Sequence, residues 1–268
     1  METSKKQGVQ FRDLGQIEYR DAWDLQEQLL QENVAVKMEQ RKKLAALEEE
    51  LAIDNARPTG SSGRGQLAIN TIDNEVIMPE TNHYLLFVEH PPVYTLGKSG
   101  AIENVLISEE DRAAKGISFY NTNRGGDITF HGKEQLVGYP ILDLERFYTD
   151  IGKYLRNLED VIIATMADYG LKGERSPGET GVWLDAAIKG KERKICAMGI
   201  RCSRWVTMHG FAFNVNTDLT YFDYIIPCGI QNKQVTSLEK ELGRKLDMAE
   251  VKERVKFHFE KVFNVELI

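Results

Sequence analysis

The run Tyr84-Leu85-Leu86-Phe87-Val88, followed by Glu89-His90-Pro91-Pro92, constrains this chain more than any other segment. Five consecutive apolar residues read as a buried strand, and the prolines end it because proline cannot donate to a ladder. Shorter strands are expected at Ser118 to Tyr120, Ile128 to Phe130, Val137 to Leu142, Gly181 to Leu184, Lys194 to Ile200 and Met208 to Val215. Helices are expected from about Asp21 to Ile53, where Trp23, Leu29, Leu30, Val34, Leu44, Leu47 and Leu51 give a loose apolar stripe, and from Ile151 to Tyr169. Near the C-terminus Asp247, with Glu250 three residues on, has the form of a capping box before Met248, Val251, Val255 and Val262. The pattern is that of an α/β (α+β) domain with a mixed sheet over residues 1–240, followed by a small helical extension over 241–268. The Gly, Ser and Pro of Ala56 to Gly65 mark a loop.

With 268 residues and 42% hydrophobic content, the chain can bury one sizeable core. Its formal charge of -7 argues against a general attraction to nucleic acid or anionic membrane. No apolar run follows the first lysines, and none approaches the roughly 20 residues that a membrane span needs. A cytoplasmic protein is expected. Three cysteines without a secretion signal read as free thiols rather than a disulfide framework.

Each thiol has two readings. Cys228, in Ile226-Pro227-Cys228-Gly229, is either a buried small hydrophobe or a nucleophile to which a glycine gives access. Cys196 lies in an apolar strand and reads as structural. Cys202 stands between Arg201 and Arg204, and nearby cations favour a thiolate, so spacing alone does not choose between Cys202 and Cys228. Lys194 opens an apolar strand, where its ammonium either snorkels to solvent or faces a polar site. Facing a thiol, it would lower that pKa from about 8.5 to roughly 6.5 to 7.5.

The stretch Arg124-Gly125-Gly126-Asp127-Ile128-Thr129-Phe130-His131-Gly132 gathers a cation, paired glycines, a hydroxyl and an imidazole. Strand alternation puts Thr129 and His131 on one face and Phe130 on the other. The glycines would let backbone N–H groups approach a developing oxyanion; the ordinary reading is a hairpin turn with a satisfied histidine. His209-Gly210-Phe211-Ala212-Phe213-Asn214 invites the same two readings. No histidine or cysteine pair has metal-site spacing, Gly97-Lys98-Ser99 lacks the earlier glycine of a phosphate loop, and no serine stands in a nucleophile elbow.

Four blocks together resemble the lipoyl(octanoyl) transferase family. They are Phe87 to Gly97; Arg124 to Gln135; Gly181-Val182-Trp183 with Lys194 to Gly199; and Trp205 to Asn214 running into Pro227-Cys228-Gly229-Ile230. The resemblance implies the biotin/lipoate protein ligase-like fold, a mixed sheet flanked by helices. It implies that Cys228 forms an acyl thioester and that Lys194 lowers its pKa. It also implies that Arg124, Gly125, Gly126, Asp127, Ile128, Thr129, Phe130, His131, Ala197, Met198, Gly199, Gly210, Phe211 and Ala212 line an acyl pocket. Lys133-Glu134 departs from the Pro-Gly that the family commonly has there, and residues 37–80 are longer than the family's typical connection, which makes them an insertion against it.

The implied reaction moves octanoyl from octanoyl-acyl carrier protein to a lysine of a lipoyl domain, in 2-oxoacid dehydrogenase E2 subunits or the glycine cleavage H protein. No cofactor is expected: a thioester lies above an amide in energy, so no ATP is needed, and the histidine and cysteine spacing offers no metal site. Lys194, once neutral, or His131 would take the acceptor's proton. Acidic protein partners call for a local basic rim, with Lys98, Lys133, Arg201 and Arg204 as candidates. The rivals are an ATP-dependent lipoate or biotin ligase, which needs no cysteine, a Cys-dependent thioesterase, and a carrier-binding module that forms no adduct.

Overall fold

The computed structural model describes residues 6–56, 78–226 and 234–268. The strands are β1 (Gln7–Gln16), β2 (Tyr84–Glu89), β3 (Val93–Leu96), β4 (Ser118–Asn121), β5 (Ile128–His131), β6 (Gln135–Ile141), β7 (Val182–Leu184), β8 (Arg193–Ser203), β9 (Val206–Asn214), β10 (Gln234–Val235) and β11 (Val265–Leu267). The helices are α1 (Tyr19–Ala56), α2 (Glu109–Ala114), α3 (Ile151–Asp168), α4 (Leu238–Leu242) and α5 (Met248–Phe263). The principal sheet runs β10-β8-β9-β6-β2-β1-β11 with β7 paired to β8, and a small sheet runs β4-β3-β5. Pairing is mixed: β2 with β6, β6 with β9 and β8 with β9 are antiparallel, whereas β1 runs parallel to β2 and to β11.

The unbroken apolar run of β2 follows from a sheet covered on both faces. Leu85 and Phe87 enter the core beneath α3 and α5, together with Leu136, Phe211, Tyr154 and Phe259. Leu86 and Val88 point the other way and pack with Val137, Tyr139 and the α1 residues Ala22, Leu29, Leu30 and Val34. The apolar stripe of α1 is buried in its first half, whereas Leu44, farther along, is 51% exposed. That half ends on Lys37, 2% exposed, whose ammonium pairs with Asp143 and, at 2.8 Å, with Glu145. Asp143 also accepts from the Thr81 hydroxyl and the Glu145 N–H, so the buried charge is satisfied from several sides.

Asp247 caps α5 by accepting from the Ala249 N–H at 2.9 Å. The expected reciprocal bond from Glu250 is not made: its carboxylate lies 3.4 Å from the Tyr169 hydroxyl instead. Val251, Val255, Phe259 and Phe263 enter the core beside α3, and β11 pairs with β1. Residues 241–268 therefore hold a strand as well as helix and share the core of the rest. Four strands had no alternation strong enough to be foreseen: β1, β3, which starts directly after Pro92, the two-residue β10, and β11. Most of the expected loop, from Arg57 to Gly65, lies outside the described residues. Among the described residues no helix is long and apolar enough to cross a membrane.

Removing one partner of a buried ion pair strands the other charge, at a cost of about 3 kcal/mol. Lys37→Met, which leaves the buried Asp143 carboxylate the uncharged Thr81 hydroxyl and Glu145 N–H as donors, should lose about that much in urea unfolding. Asp143→Asn, which leaves the Lys37 ammonium its Glu145 partner at 2.8 Å, should lose less. Equal losses would contradict this account.

Candidate active site

Between the small sheet and the α1 face of the principal sheet lies a pocket of about 760 Å³, part of it open to solvent. Its floor is made of small residues on neighbouring strands: Ala197 and Gly199 of β8, Gly210 and Ala212 of β9, and Val137 of β6. The register sets them side by side, with Ala197 opposite Ala212 and Gly199 opposite Gly210. Arg124, Gly126, Asp127, Ile128, Thr129 and His131 form the roof, and Met198 and Phe211 also border the space. A side chain at Gly199 would put its Cβ 2.6 Å from the Gly125 carbonyl oxygen, so glycine is what lets the roof loop lie on the floor strand.

Two expected members of this lining are turned elsewhere. Phe130 stacks on Tyr221, with ring centroids 4.6 Å apart, in the separate core of the small sheet, as alternation with Thr129 and His131 requires. Gly125 gives its N–H to the Ile200 carbonyl at 2.8 Å, so that N–H is committed and does not serve an oxyanion.

A continuous line of hydrogen bonds holds the roof. Arg124 Nη2 donates to the Thr95 carbonyl and, at 2.9 Å, to its hydroxyl. The hydroxyl donates to His131 Nε2 at 3.3 Å, and His131 Nδ1 donates to Gln135 Oε1 at 3.0 Å. The Gln135 amide donates to the Phe130 carbonyl and to Asn214 Oδ1; the Asn214 amide donates to the Thr236 carbonyl. Backbone carbonyls at Phe130 and Thr236 thus fix both amides and, through them, make His131 the neutral Nδ1–H tautomer.

His90 is fixed in the same way, donating from Nδ1 to the Ile17 carbonyl and accepting from the Tyr139 hydroxyl, both at 2.8 Å. His209 adopts a left-handed φ of 58° within β9. Gln26 of α1 accepts its N–H at 2.8 Å, and its Nε2 donates to Asn123. Burial keeps these rings neutral. It lowers the pKa of His90 to about 4 and of His209 to about 3, with the Arg124 charge adding to the latter. His131 is held well below the ordinary range, by burial first and then by the nearby His90 and Arg124.

Lys194 borders the pocket at its β10 side, beside Val235, with its ammonium 4.5 Å from the centre of the Trp183 ring. Gly181, at a φ of 105°, brings β7 so close that an added Cβ would sit 2.4 Å from the Cys196 carbonyl oxygen and 3.6 Å from Lys194 Cε. The buried carboxylate of Glu159 holds that turn by accepting the Gly181 N–H at 3.0 Å, while Arg156 and Arg175 neutralise it at 2.6 and 2.8 Å.

Cys228 lies outside the described residues. Of the other two thiols, Cys196 is fully buried and its pKa is pushed well up by burial, with Lys194 only partly opposing. Cys202 is half-buried and also raised by burial, against the expectation that flanking arginines would activate it. Arg201 is engaged with Glu27 of α1 at 2.6 Å, which removes it from the expected basic rim; Lys98 and Lys133 are exposed. Sequence reasoning did not find Tyr19, Tyr139 or Val235, which border the same pocket. Gln135 and Asn214 stood in the motif blocks, but nothing in their spacing showed that they bond to each other. Among the described residues no cluster of three His, Cys, Asp or Glu side chains could hold a metal ion.

A histidine whose folded pKa lies below its unfolded value of about 6.5 binds fewer protons in the native state, so stability falls as pH drops. His83, lowered to about 4 chiefly by burial, joins His90, His131 and His209 in this. Stability should be full above pH 6.5 and decline from there towards pH 4. Calorimetric unfolding at pH 5.5 in buffers of different ionisation enthalpy should show uptake of at least about three protons; uptake near zero would refute the neutral assignment.

Residues 69–260 match the family model described as the lipoyl protein ligase A/B catalytic domain. Curated octanoyltransferases are similar over nearly the whole chain. That of Christiangramia forsetii is 52% identical over 97% of both chains, and that of Flavobacterium johnsoniae 51% identical over 97% of this chain and 98% of its own. That of Cytophaga hutchinsonii is 44% identical over all of this chain and 97% of its own. Among solved structures, a lipoate-protein ligase A bound with ATP superposes with a TM-score of 0.57 at 14% identity, over 70% of this chain and 75% of its own. The LipL1 protein of P. falciparum in complex with lipoate gives 0.62 at 12% identity, over 96% and 62%. These structures share the fold. The chain belongs to the lipoyl protein ligase A/B catalytic domain family, beside relatives that are octanoyltransferases.

Proposed function

We propose that this protein is an octanoyltransferase of protein lipoylation, taking octanoyl from acyl carrier protein and passing it through a Cys228 thioester to a lysine of a lipoyl domain. The observation that carries the reading is the pocket itself, with an apolar floor of small residues and Lys194 at one side. Each methylene buried there is worth about 0.8 kcal/mol, which suits a medium-length acyl chain. Relatives that share half of its sequence are named for that activity.

Cys228 is the thiol left for the role, because burial raises the pKa of both others. The sequence tethers it two residues from Ile226 and six from Gln234, and β10 pairs Val235 with Lys194. In the first step the Cys228 thiolate attacks the carrier thioester; the carrier sulfur departs as a thiolate and takes up a proton. In the second the acceptor amine attacks the enzyme thioester, Cys228 leaves as the thiolate, and the nitrogen proton passes to a base. His131 is a poor candidate for that base, since both its ring nitrogens are engaged and burial opposes its protonation. Lys194, after giving up a proton, is the better one. No ATP is consumed. The reaction takes place in the cytoplasm, the reducing compartment in which a free thiolate persists. The acceptors are lipoyl domains of 2-oxoacid dehydrogenase E2 subunits and the glycine cleavage H protein.

Intact-mass analysis after mixing with octanoyl-carrier protein tests the route. One octanoyl group should map to Cys228 and disappear as an added apo lipoyl domain gains it, and Cys228→Ala should abolish both. Activity of Cys228→Ala with ATP and free octanoate would instead establish a ligase, and release of free acid without an acceptor would establish a thioesterase. Lys194→Met should raise by about one unit the pH midpoint of Cys228 alkylation, followed by peptide mapping; an unmoved midpoint would remove Lys194 from the activation of the thiol.

A further inference from the structure

We propose that Tyr19, in the first turn of α1, closes the pocket on the side away from Lys194 and sets the length of acyl chain that the protein transfers; the inference rests on the octanoyl-transfer reading above. Tyr19 is 2% exposed and borders the pocket. Its ring stacks on His131 at 5.8 Å and on Tyr120 at 5.4 Å, and meets His90 edge-on at 5.3 Å. The backbone just before it is pinned twice to the end of β2. The Ile17 N–H donates to the Glu89 carbonyl at 3.0 Å, and the Ile17 carbonyl accepts from His90 Nδ1. Tyr139 stands on the same side, its hydroxyl bonded to the other nitrogen of His90. The wall therefore consists of rings whose neighbours are already hydrogen-bonded in place, and it cannot retreat without breaking those bonds.

The sheet register gives the span from Lys194 to this wall. Lys194 is on β8 and Tyr139 on β6, with β9 between them, so about 10 Å separates their strands. Met198, Phe211 and Gly138 share one row, next to Tyr139, and Lys194 lies four residues earlier along β8, about 13 Å away. An acyl chain whose carbonyl sits near Lys194 crosses the small-residue floor and meets aromatic rings at its far end. Longer chains find no space beyond Tyr19.

The test compares kcat/KM for octanoyl-, decanoyl- and dodecanoyl-carrier protein with apo lipoyl domain as acceptor. Tyr19→Ala should raise the decanoyl-to-octanoyl ratio about 15-fold, the value of two further buried methylenes. Tyr19→Phe keeps the ring and should leave the ratio within about twofold. Should Tyr19→Ala fail to fold, Tyr19→Leu carries the same test with a rise of about fourfold, one methylene's worth. A wild-type protein that transfers octanoyl, with an unchanged ratio in the folded small variant, overturns the role of Tyr19 alone. A wild-type protein that transfers none of the three chains overturns the proposed function, so the two failures are told apart.

Discussion

The buried guanidinium of Arg124 donates to both oxygens of Thr95, and from there a single file of hydrogen bonds runs through His131, Gln135 and Asn214 to the Thr236 carbonyl. It crosses three structural units. Thr95 and His131 belong to the small sheet, Gln135 and Asn214 to adjacent strands of the large one, and Thr236 to the segment that returns the chain beside Lys194, where its N–H meets the Lys194 carbonyl at 2.9 Å. Roof, floor and the Lys194 strand therefore keep their spacing through one network. Because its members are buried, each unsatisfied group would cost about 1–3 kcal/mol, which makes the arrangement close to all-or-none.

Neutral histidine is the condition for that network. A protonated His131 would donate from both nitrogens, so the Thr95 hydroxyl, which accepts from Arg124, would have to turn its own hydrogen away from the ring and give up the bond it donates there. Burial and the nearby guanidinium oppose protonation, so the ring is held in a role of spacing and orientation rather than proton transfer. The same holds for His90, locked between Ile17 and Tyr139, and for His209, whose Nε2 is spent on Asn123 and whose backbone N–H is spent on Gln26. The chemistry is left to the side of the pocket where Lys194 rests on Trp183 and the Glu159 carboxylate fixes the Gly181 turn.

Much of the fold was legible because period and apolar content carry it. The two-sided burial of Leu85 to Val88, the strands of Lys194 to Ile200 and Met208 to Val215, and the helix opening at Ile151 all follow from local pattern. What was not legible depends on contacts distant in sequence. β1 exists because it pairs with β2 on one side and β11 on the other, β11 because it pairs with β1, and neither alternates cleanly on its own. Tyr19 reads as an ordinary residue opening a charged helix until His131, 112 positions away by its number, is found stacked on it. Arg201 looked available in the sequence because Glu27 is remote from it there and adjacent only in space. The capping box failed for the same reason, since Tyr169 of a different element competes for Glu250.

The most direct test of the central claim is a nitrogen-15 spectrum of the imidazole rings recorded from pH 8 to pH 5. His90 and His131 should remain predominantly neutral Nδ1–H tautomers throughout, with neither ring reaching a titration midpoint while the protein stays folded. A ring at either position that titrates near 6.5, or that carries its proton on Nε2, would contradict the hydrogen-bond file on which the pocket rests.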